Sequence, residues 1–342
     1  MKVGILSGGG DAPGINAVIR AVVKKGVQTY DYEIVGIKNG WRGLLEADFI
    51  VLDLDETSGI LPRGGSILGT SRTNPFKPKN KAQQIMRNVE DSDLSAVVAI
   101  GGEDTLGVAF KLSKLGLPVV GVPKTIDNDL CGTDYTFGFN TAVSIATETL
   151  DRLHTTAESH QRVIILEVMG RYTGWIALEA GLAGGADAIL IPEKPFDIDE
   201  ICNVVKHRQS RGKDFSVVVV AEGAKPKEGK EILYSKGRDA FGHVRFGGVG
   251  YYIGREIERR INTETRVAVL GHLQRGGSPT AFDRILATRY GIAAIDLVHQ
   301  GEYGCMVGIQ GNKIVSIPLK DVVGKRKTVD LEFYELASIF FG

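Results

Sequence analysis

Along this chain, short apolar runs are repeatedly cut off by glycine and charge. Residues 3–6 run into Ser7-Gly8-Gly9-Gly10-Asp11, residues 96–100 into Gly101-Gly102-Glu103-Asp104-Thr105, and residues 117–122 into Pro123-Lys124-Thr125-Ile126-Asp127-Asn128-Asp129. Residues 163–168 end in Met169-Gly170-Arg171, residues 215–220 in Ala221-Glu222-Gly223, and residues 266–270 in Gly271-His272-Leu273-Gln274-Arg275-Gly276-Gly277. Runs this short and continuously apolar, bounded by turn residues, read as strands buried on both faces. Residues 33–37 and 188–191 read the same way. Between the runs the apolar spacing changes to three and four. Ile15, Val18, Ile19, Val22 and Val23 share a helical face over 15–29, and Ala142, Ile145, Ala146, Thr149, Leu150 and Leu153 share one over 140–156. Further helices are expected over 106–115, stopped by Gly116, and from about residues 198 and 247. Strand and helix in alternation predict parallel βαβ units and an α/β fold. The carboxyl ends of parallel strands lie on one edge of the sheet, where ligands bind. Each polar set alone also reads as an ordinary turn, because glycine and Asx residues favour turns. Six in succession are difficult to read as turns alone. Residues 225–245, rich in Lys, Glu and Gly, predict a surface excursion.

Composition narrows the picture. A chain of 342 residues is long enough for two domains. Its 41 Lys plus Arg balance 41 Asp plus Glu, so no bulk charge draws it to nucleic acid or to an anionic membrane. Any anion site must be local. Cys131, Cys202 and Cys305 are widely spaced and form no C-x-x-C pair, which suits a reducing cytoplasm and argues against a disulfide framework or structural zinc. The first ten residues turn glycine-rich before a signal-peptide core can form, and no apolar run approaches the roughly 18 residues of a membrane span.

The polar sets suggest the chemistry. The glycines after the first run match neither G-x-G-x-x-G nor the P-loop, which disfavours a dinucleotide dehydrogenase or a P-loop ATPase. A glycine and hydroxyl loop over 61–74 carries Arg63 and Arg72, a combination suited to phosphate. The cations are Arg72, Lys124, Arg171 and Arg275, with Arg162 and Arg266 near strand starts; the carboxylates are Asp11, Glu103, Asp104, Asp127, Asp129 and Glu222. No Ser or Cys stands beside a His as an activated nucleophile. Arginines and glycine turns beside carboxylates suit phosphoryl transfer, with cations on the moving group, one carboxylate as base and others on magnesium.

The stretches Gly8-Gly9-Gly10-Asp11-Ala12-Pro13-Gly14-Ile15-Asn16, Pro123-Lys124-Thr125-Ile126-Asp127-Asn128-Asp129, Met169-Gly170-Arg171 and Gly271-His272-Leu273-Gln274-Arg275-Gly276-Gly277 resemble the 6-phosphofructokinase family, in order and over nearly the whole chain. The resemblance implies two Rossmann-like α/β domains with mainly parallel sheets and the active site between them. It places 1–138 with 274–302 in a phosphoryl-donor domain, and 139–273 with 303–342 in a fructose 6-phosphate domain. It implies Asp127 as general base on the 1-hydroxyl. Thr125, Asp127, Met169, Gly170, Arg171, Glu222 and Arg275 would hold the sugar phosphate, as would Arg162, Arg266 and His272. The two arginines Arg162 and Arg266 would reach in from an adjacent subunit of a homo-oligomer. Gly10, Arg72 and Lys124 would meet the donor, and Glu103 and Asp129 would hold Mg2+.

Two departures from the ATP-dependent bacterial pattern bear on the donor. Asp104 and Lys124 stand where that pattern has glycines. Asp104 would fill the space of a nucleotide α-phosphate and repel it, and Lys124 would neutralise pyrophosphate. The pair resembles the pyrophosphate-dependent branch, and the alternative is the ATP-dependent kinase. A silent sugar-phosphate-binding subunit and a plain pyrophosphatase are more distant alternatives. The positions that match the family's effector site hold Arg20, Lys24, His154, Arg211, Lys213 and Asp214. Asp214 would repel an anion and His154 replaces an arginine, so weak or absent effector control is expected.

Overall fold

The computed structural model describes residues 1–77, 81–227, 233–238 and 244–342. The chain divides into two compact units, Met1–Asn140 with Arg275–Arg326, and Thr141–Gln274 with Lys327–Gly342. In the first unit, β1 (Lys2–Ser7), β2 (Glu33–Ile37), β4 (Ala96–Gly101) and β5 (Val119–Pro123) run parallel, and β3 (Phe49–Leu52) closes one edge antiparallel to β2. In the second unit, β6 (Val163–Val168), β7 (Ala188–Leu190), β8 (Ser216–Ala221) and β11 (Thr265–Val269) form an all-parallel sheet in the order β11-β6-β8-β7. The expected excursion over 225–245 contains β9 (Leu233–Arg238) and β10 (Val244–Phe246), which pair antiparallel; residues 228–232 and 239–243 lie outside the described residues.

The boundary expected at residue 303 needs correction. β12 (Cys305–Gln310) and β13 (Lys313–Pro318) form a hairpin that extends the first sheet, to the order β13-β12-β5-β4-β1-β2-β3. β12 pairs parallel with β5 through Cys305↔Val120 and Met306↔Gly121. Residues 303–326 therefore fold with the first unit. Only the long-range pairing sets this, which no local pattern encodes.

The apolar runs are continuous because both sheet faces are covered. Val3, Ile5, Val98 and Ile100 pack on one side with the helices Ile15–Tyr30 and Ala281–Gln300; Leu6, Val97 and Ala99 pack on the other with the helices Ala82–Asp91 and Glu103–Ser113. Registers such as Ser7↔Ile100 and Ile100↔Val122 bring the sets after β1, β4 and β5 to one edge of the first sheet. Val168↔Ala221 and Val269↔Glu167 do the same for β6, β8 and β11 in the second. The six sets thus fall three to a sheet. Among the described residues, no helix is long and apolar enough to cross a membrane.

Candidate active site

The first unit gathers its charge around Gly10. Lys124 follows the last residue of β5 and is only 3% exposed. Its backbone N–H donates to Gly101 O at 3.0 Å, and its ammonium turns back to donate to Gly10 O. A Cβ on Gly10 would lie 1.8 Å from Arg275 Nη1, so any side chain there would displace that guanidinium. Burial pushes the Lys124 amine down to about 7; Arg275 adds to the shift, Asp11 and Asp127 oppose it, and Arg72 lowers it further. Cations crowded in a place that penalises charge favour a bound anion. Arg275 Nε is itself buried with no hydrogen-bond partner among the described residues.

The loop carrying Arg72 is fastened to the same turn. Gly9 N–H donates to Ser71 O (3.0 Å), and Thr70 Oγ1 donates to Gly9 O (2.6 Å). Asn16 Nδ2 donates to Arg63 O (3.0 Å), and Ile67 N–H donates to Asn16 Oδ1 (2.9 Å). Arg72 itself is exposed.

Glu103 and Asp104 form the first turn of the helix Glu103–Ser113, which begins three residues before the expected 106. Gly102 is extended and offers no side-chain cap, and the two carboxylates complement the helix dipole. Beyond β5, Asp127 N–H donates to Thr125 Oγ1 at 3.0 Å. Burial pushes the Asp129 carboxyl up to about 7; Asp127 and Glu103 add to this and Arg326 opposes it. Nothing local in the sequence marked Arg326.

Carboxylates that repel one another in a buried place fit a divalent cation. Among the described residues, no group of three or more His, Cys, Asp or Glu side chains could hold a metal. Mg2+ characteristically takes one or two carboxylates and completes its shell with substrate phosphate and water. Glu103 and Asp129 suit that mode.

The second unit uses its side chains differently. Glu222 Oε1 accepts Arg171 N–H at 3.1 Å, Gln274 Oε1 accepts Met169 N–H at 2.8 Å, and Glu222 N–H donates to Val168 O at 2.8 Å. Gly170 (φ 144°) and Arg171 (φ 54°) both take positive φ, and a Cβ on Gly223 would lie 1.8 Å from Arg171 O. Met169, Gly170, Arg171 and Glu222 are thus brought together. Gln274 belongs with them, although only the motif around it had marked it. His272 is exposed in the 3-10 turn Gly271–Arg275.

Arg162 and Arg266 are not brought to this set. They lie at the amino ends of β6 and β11, where Arg162 Nε donates to Glu264 Oε2 (2.7 Å) and Arg266 also pairs with Glu264. Arg162 and Met169 are separated by the whole of β6, about 20 Å at the usual rise per residue.

Residues 2–298 match the phosphofructokinase family. The chain belongs to that family. A pyrophosphate--fructose 6-phosphate 1-phosphotransferase of Streptomyces coelicolor is 56% identical over 343 residues, covering 100% of both chains. An ATP-dependent 6-phosphofructokinase 3 of the same organism is 54% identical, covering 96% of each. Among solved structures, the pyrophosphate-dependent phosphofructokinase of Marinobacter aquaeolei superposes with a TM-score of 0.84 at 25% identity, over 97% of this chain and 86% of that one. The Pichia pastoris phosphofructokinase in the T-state gives 0.84 at 31%; this chain covers 99% of itself and spans 36% of that longer chain. Phosphofructokinases named for either donor are nearly equally similar, so overall similarity does not select the donor. That choice rests on individual residues.

Proposed function

We propose that this phosphofructokinase transfers a phosphoryl group reversibly from pyrophosphate to the 1-hydroxyl of fructose 6-phosphate, giving fructose 1,6-bisphosphate and phosphate. The observation that carries this reading is the pair of Asp104, in the first turn of its helix, with the buried Lys124, held on Gly10 O beside Arg275. A buried point cation whose charged form a bound anion would stabilise suits a compact inorganic donor. Asp104, in the first turn of its helix, opposes a nucleotide α-phosphate by charge and volume.

In the forward direction, Gly10, Arg72 and Lys124 receive pyrophosphate. Met169, Gly170, Arg171, Glu222 and His272 hold the sugar phosphate, and Thr125 and Arg275 orient its reacting end. Asp127 accepts the proton as the 1-hydroxyl oxygen forms its bond to phosphorus and the bridging oxygen leaves with phosphate. Glu103 and Asp129 would hold Mg2+, which when bound supplies charge neutralisation on the phosphate oxygens. Arg162 and Arg266 stand too far along the sheet from Arg171 to grip the same phosphate within one chain. They serve a neighbour's site in a homo-oligomer. His154 donates from Nε2 to Gly184 O (2.8 Å) and stands edge-on to Phe215, while Asp214 is exposed beside Lys213, which supports weak or absent effector control. None of Cys131, Cys202 and Cys305 is in a disulfide, in keeping with a cytoplasmic enzyme.

The reverse reaction tests the reading without any nucleotide. Fructose 1,6-bisphosphate and phosphate should yield pyrophosphate, visible as a new phosphorus resonance. Its failure to appear, with substrates and magnesium saturating, would overturn the proposal.

A further inference from the structure

Thr136 was not marked as a functional residue by its place in the sequence. In the fold it is fully buried, and it is bonded to both sides of Asp127. Its hydroxyl donates to Thr125 O at 2.7 Å, two residues before the base. Its backbone N–H donates to Asn128 Oδ1 at 3.0 Å, one residue after it. Asn128 is 2% exposed and left-handed (φ 50°), a conformation that Asn tolerates better than most residues. Its Nδ2 donates to Asp134 O at 3.3 Å. The residues flanking Asp127, Thr125 through its backbone oxygen and Asn128 through its side-chain oxygen, are therefore tied to one residue.

That residue stands on a rigid footing. Tyr290, fully buried in the helix Ala281–Gln300, donates from its hydroxyl to Tyr135 O at 2.6 Å and meets Thr133 Oγ1 at 2.8 Å. Ile309 N–H of β12 donates to Thr133 Oγ1 at 3.0 Å, and Asp134 N–H donates to Ile309 O at 2.8 Å. Gly311 N–H, at the tip of the hairpin, donates to Asp134 Oδ2 at 2.6 Å. The β12–β13 hairpin and Tyr290 thus hold residues 133–135, and Thr136 passes that order to the stretch 125–128.

We propose that Thr136 is a positioning residue for phosphoryl transfer, fixing the Asp127 carboxylate through Thr125 O and Asn128 Oδ1. This rests on the reading of Asp127 as the base. Displacing a base by an ångström or less costs turnover far more than it costs ground-state binding. The hydroxyl is the part that can be removed cleanly, because the N–H bond to Asn128 survives any substitution except proline.

The experiment compares Thr136→Val, Thr136→Ala and Thr136→Ser with wild type and with Asp127→Asn, in pyrophosphate-dependent turnover of fructose 6-phosphate. Rates are expressed per fructose 6-phosphate-binding site titrated, so that loss of folded protein does not register as loss of kcat. The expected result is a fall in kcat of roughly 10- to 100-fold for the Val and Ala variants. KM for both substrates should stay within about threefold, and the Ser variant should recover to within about threefold of wild type. Wild-type kcat in the Val or Ala variant, a rise in KM without a fall in kcat, or a Ser variant as impaired as Ala would overturn the proposal. Asp127→Asn separates the two readings: retained turnover there removes the base assignment itself. An inactive Asp127→Asn beside a fully active Thr136→Val removes only the positioning role.

Discussion

At the carboxyl edge of the first sheet the ionisable groups press on one another, whereas at the carboxyl edge of the second Glu222 and Gln274 hold backbone. Lys124 is buried beside Arg275, and burial, with Asp127 and then Glu103 adding to it, pushes the Asp129 carboxyl up. In the second unit Glu222 and Gln274 spend their acceptors on the N–H groups of Arg171 and Met169. The first arrangement is electrostatically unfinished without a ligand; in the second, Glu222 Oε1 and Gln274 Oε1 are already engaged by backbone N–H groups, and Gln274 Nε2 lies buried with no hydrogen-bond partner among the described residues. Groups left in conflict are suited to charge that moves during a reaction, and groups already engaged are suited to recognising a fixed shape.

If that division is right, breaking the first edge should remove turnover, and breaking the second should weaken sugar-phosphate binding. The largest effect belongs to Asp127→Ser, for which kcat should fall by about 10²–10⁴-fold, as general-base removal typically does. Calorimetry should show fructose 6-phosphate still binding through the second edge. Near-normal turnover would remove Asp127 from its role.

Lys124→Met comes next, with an expected loss of about 10²–10³-fold in kcat/KM for pyrophosphate and little change in KM for fructose 6-phosphate. The same variant carries a pH signature. The Lys124 amine is near 7 in the fold, against 10.5 as the reference value. Between those values the unfolded chain binds the extra proton, so free-enzyme stability should rise with pH across that window, by at most about 1.4 kcal/mol per pH unit from this residue. Below 7 both states are protonated and the dependence disappears. Melting temperatures of wild type and Lys124→Met against pH check this: the variant should lose that part of the slope, and identical slopes would contradict the shift.

The smallest effect concerns the second edge. Glu222→Gln keeps an acceptor for Arg171 N–H but removes its charge, a difference of about 1 kcal/mol, or roughly fivefold in KM for fructose 6-phosphate. Steady-state kinetics should show kcat nearly unchanged. A fall in kcat with KM constant would place Glu222 on the reacting side.

Legibility in the sequence followed locality. The strands over 33–37 and 163–168 match the fold residue for residue, because a doubly covered strand is buried at nearly every position, Glu33 excepted. The hairpin β12–β13 was not recognised, because its membership depends on Cys305 meeting Val120, far away in the chain. The helix Glu103–Ser113 starts earlier than its apolar face suggests, since its first turn is acidic and lies at the candidate site. β3 was hidden by half-exposed residues, with Val51 64% exposed. At the candidate site, most ionisable residues are nominated by their types and by the family resemblance; Arg326 is not, because folding alone brings it near Asp129. The neutral groups Thr136 and Tyr290 are not, because hydroxyls acquire a role only through partners that folding supplies, and Gln274 stands out only through the motif around it.

The donor is decided by offering ATP and pyrophosphate side by side to wild type and to Asp104→Gly, with saturating fructose 6-phosphate and magnesium. Wild type should turn over with pyrophosphate and not with ATP, and ATP-dependent turnover should appear in Asp104→Gly. Wild-type turnover with ATP at a rate equal to or above that with pyrophosphate, little changed by the substitution, would contradict it.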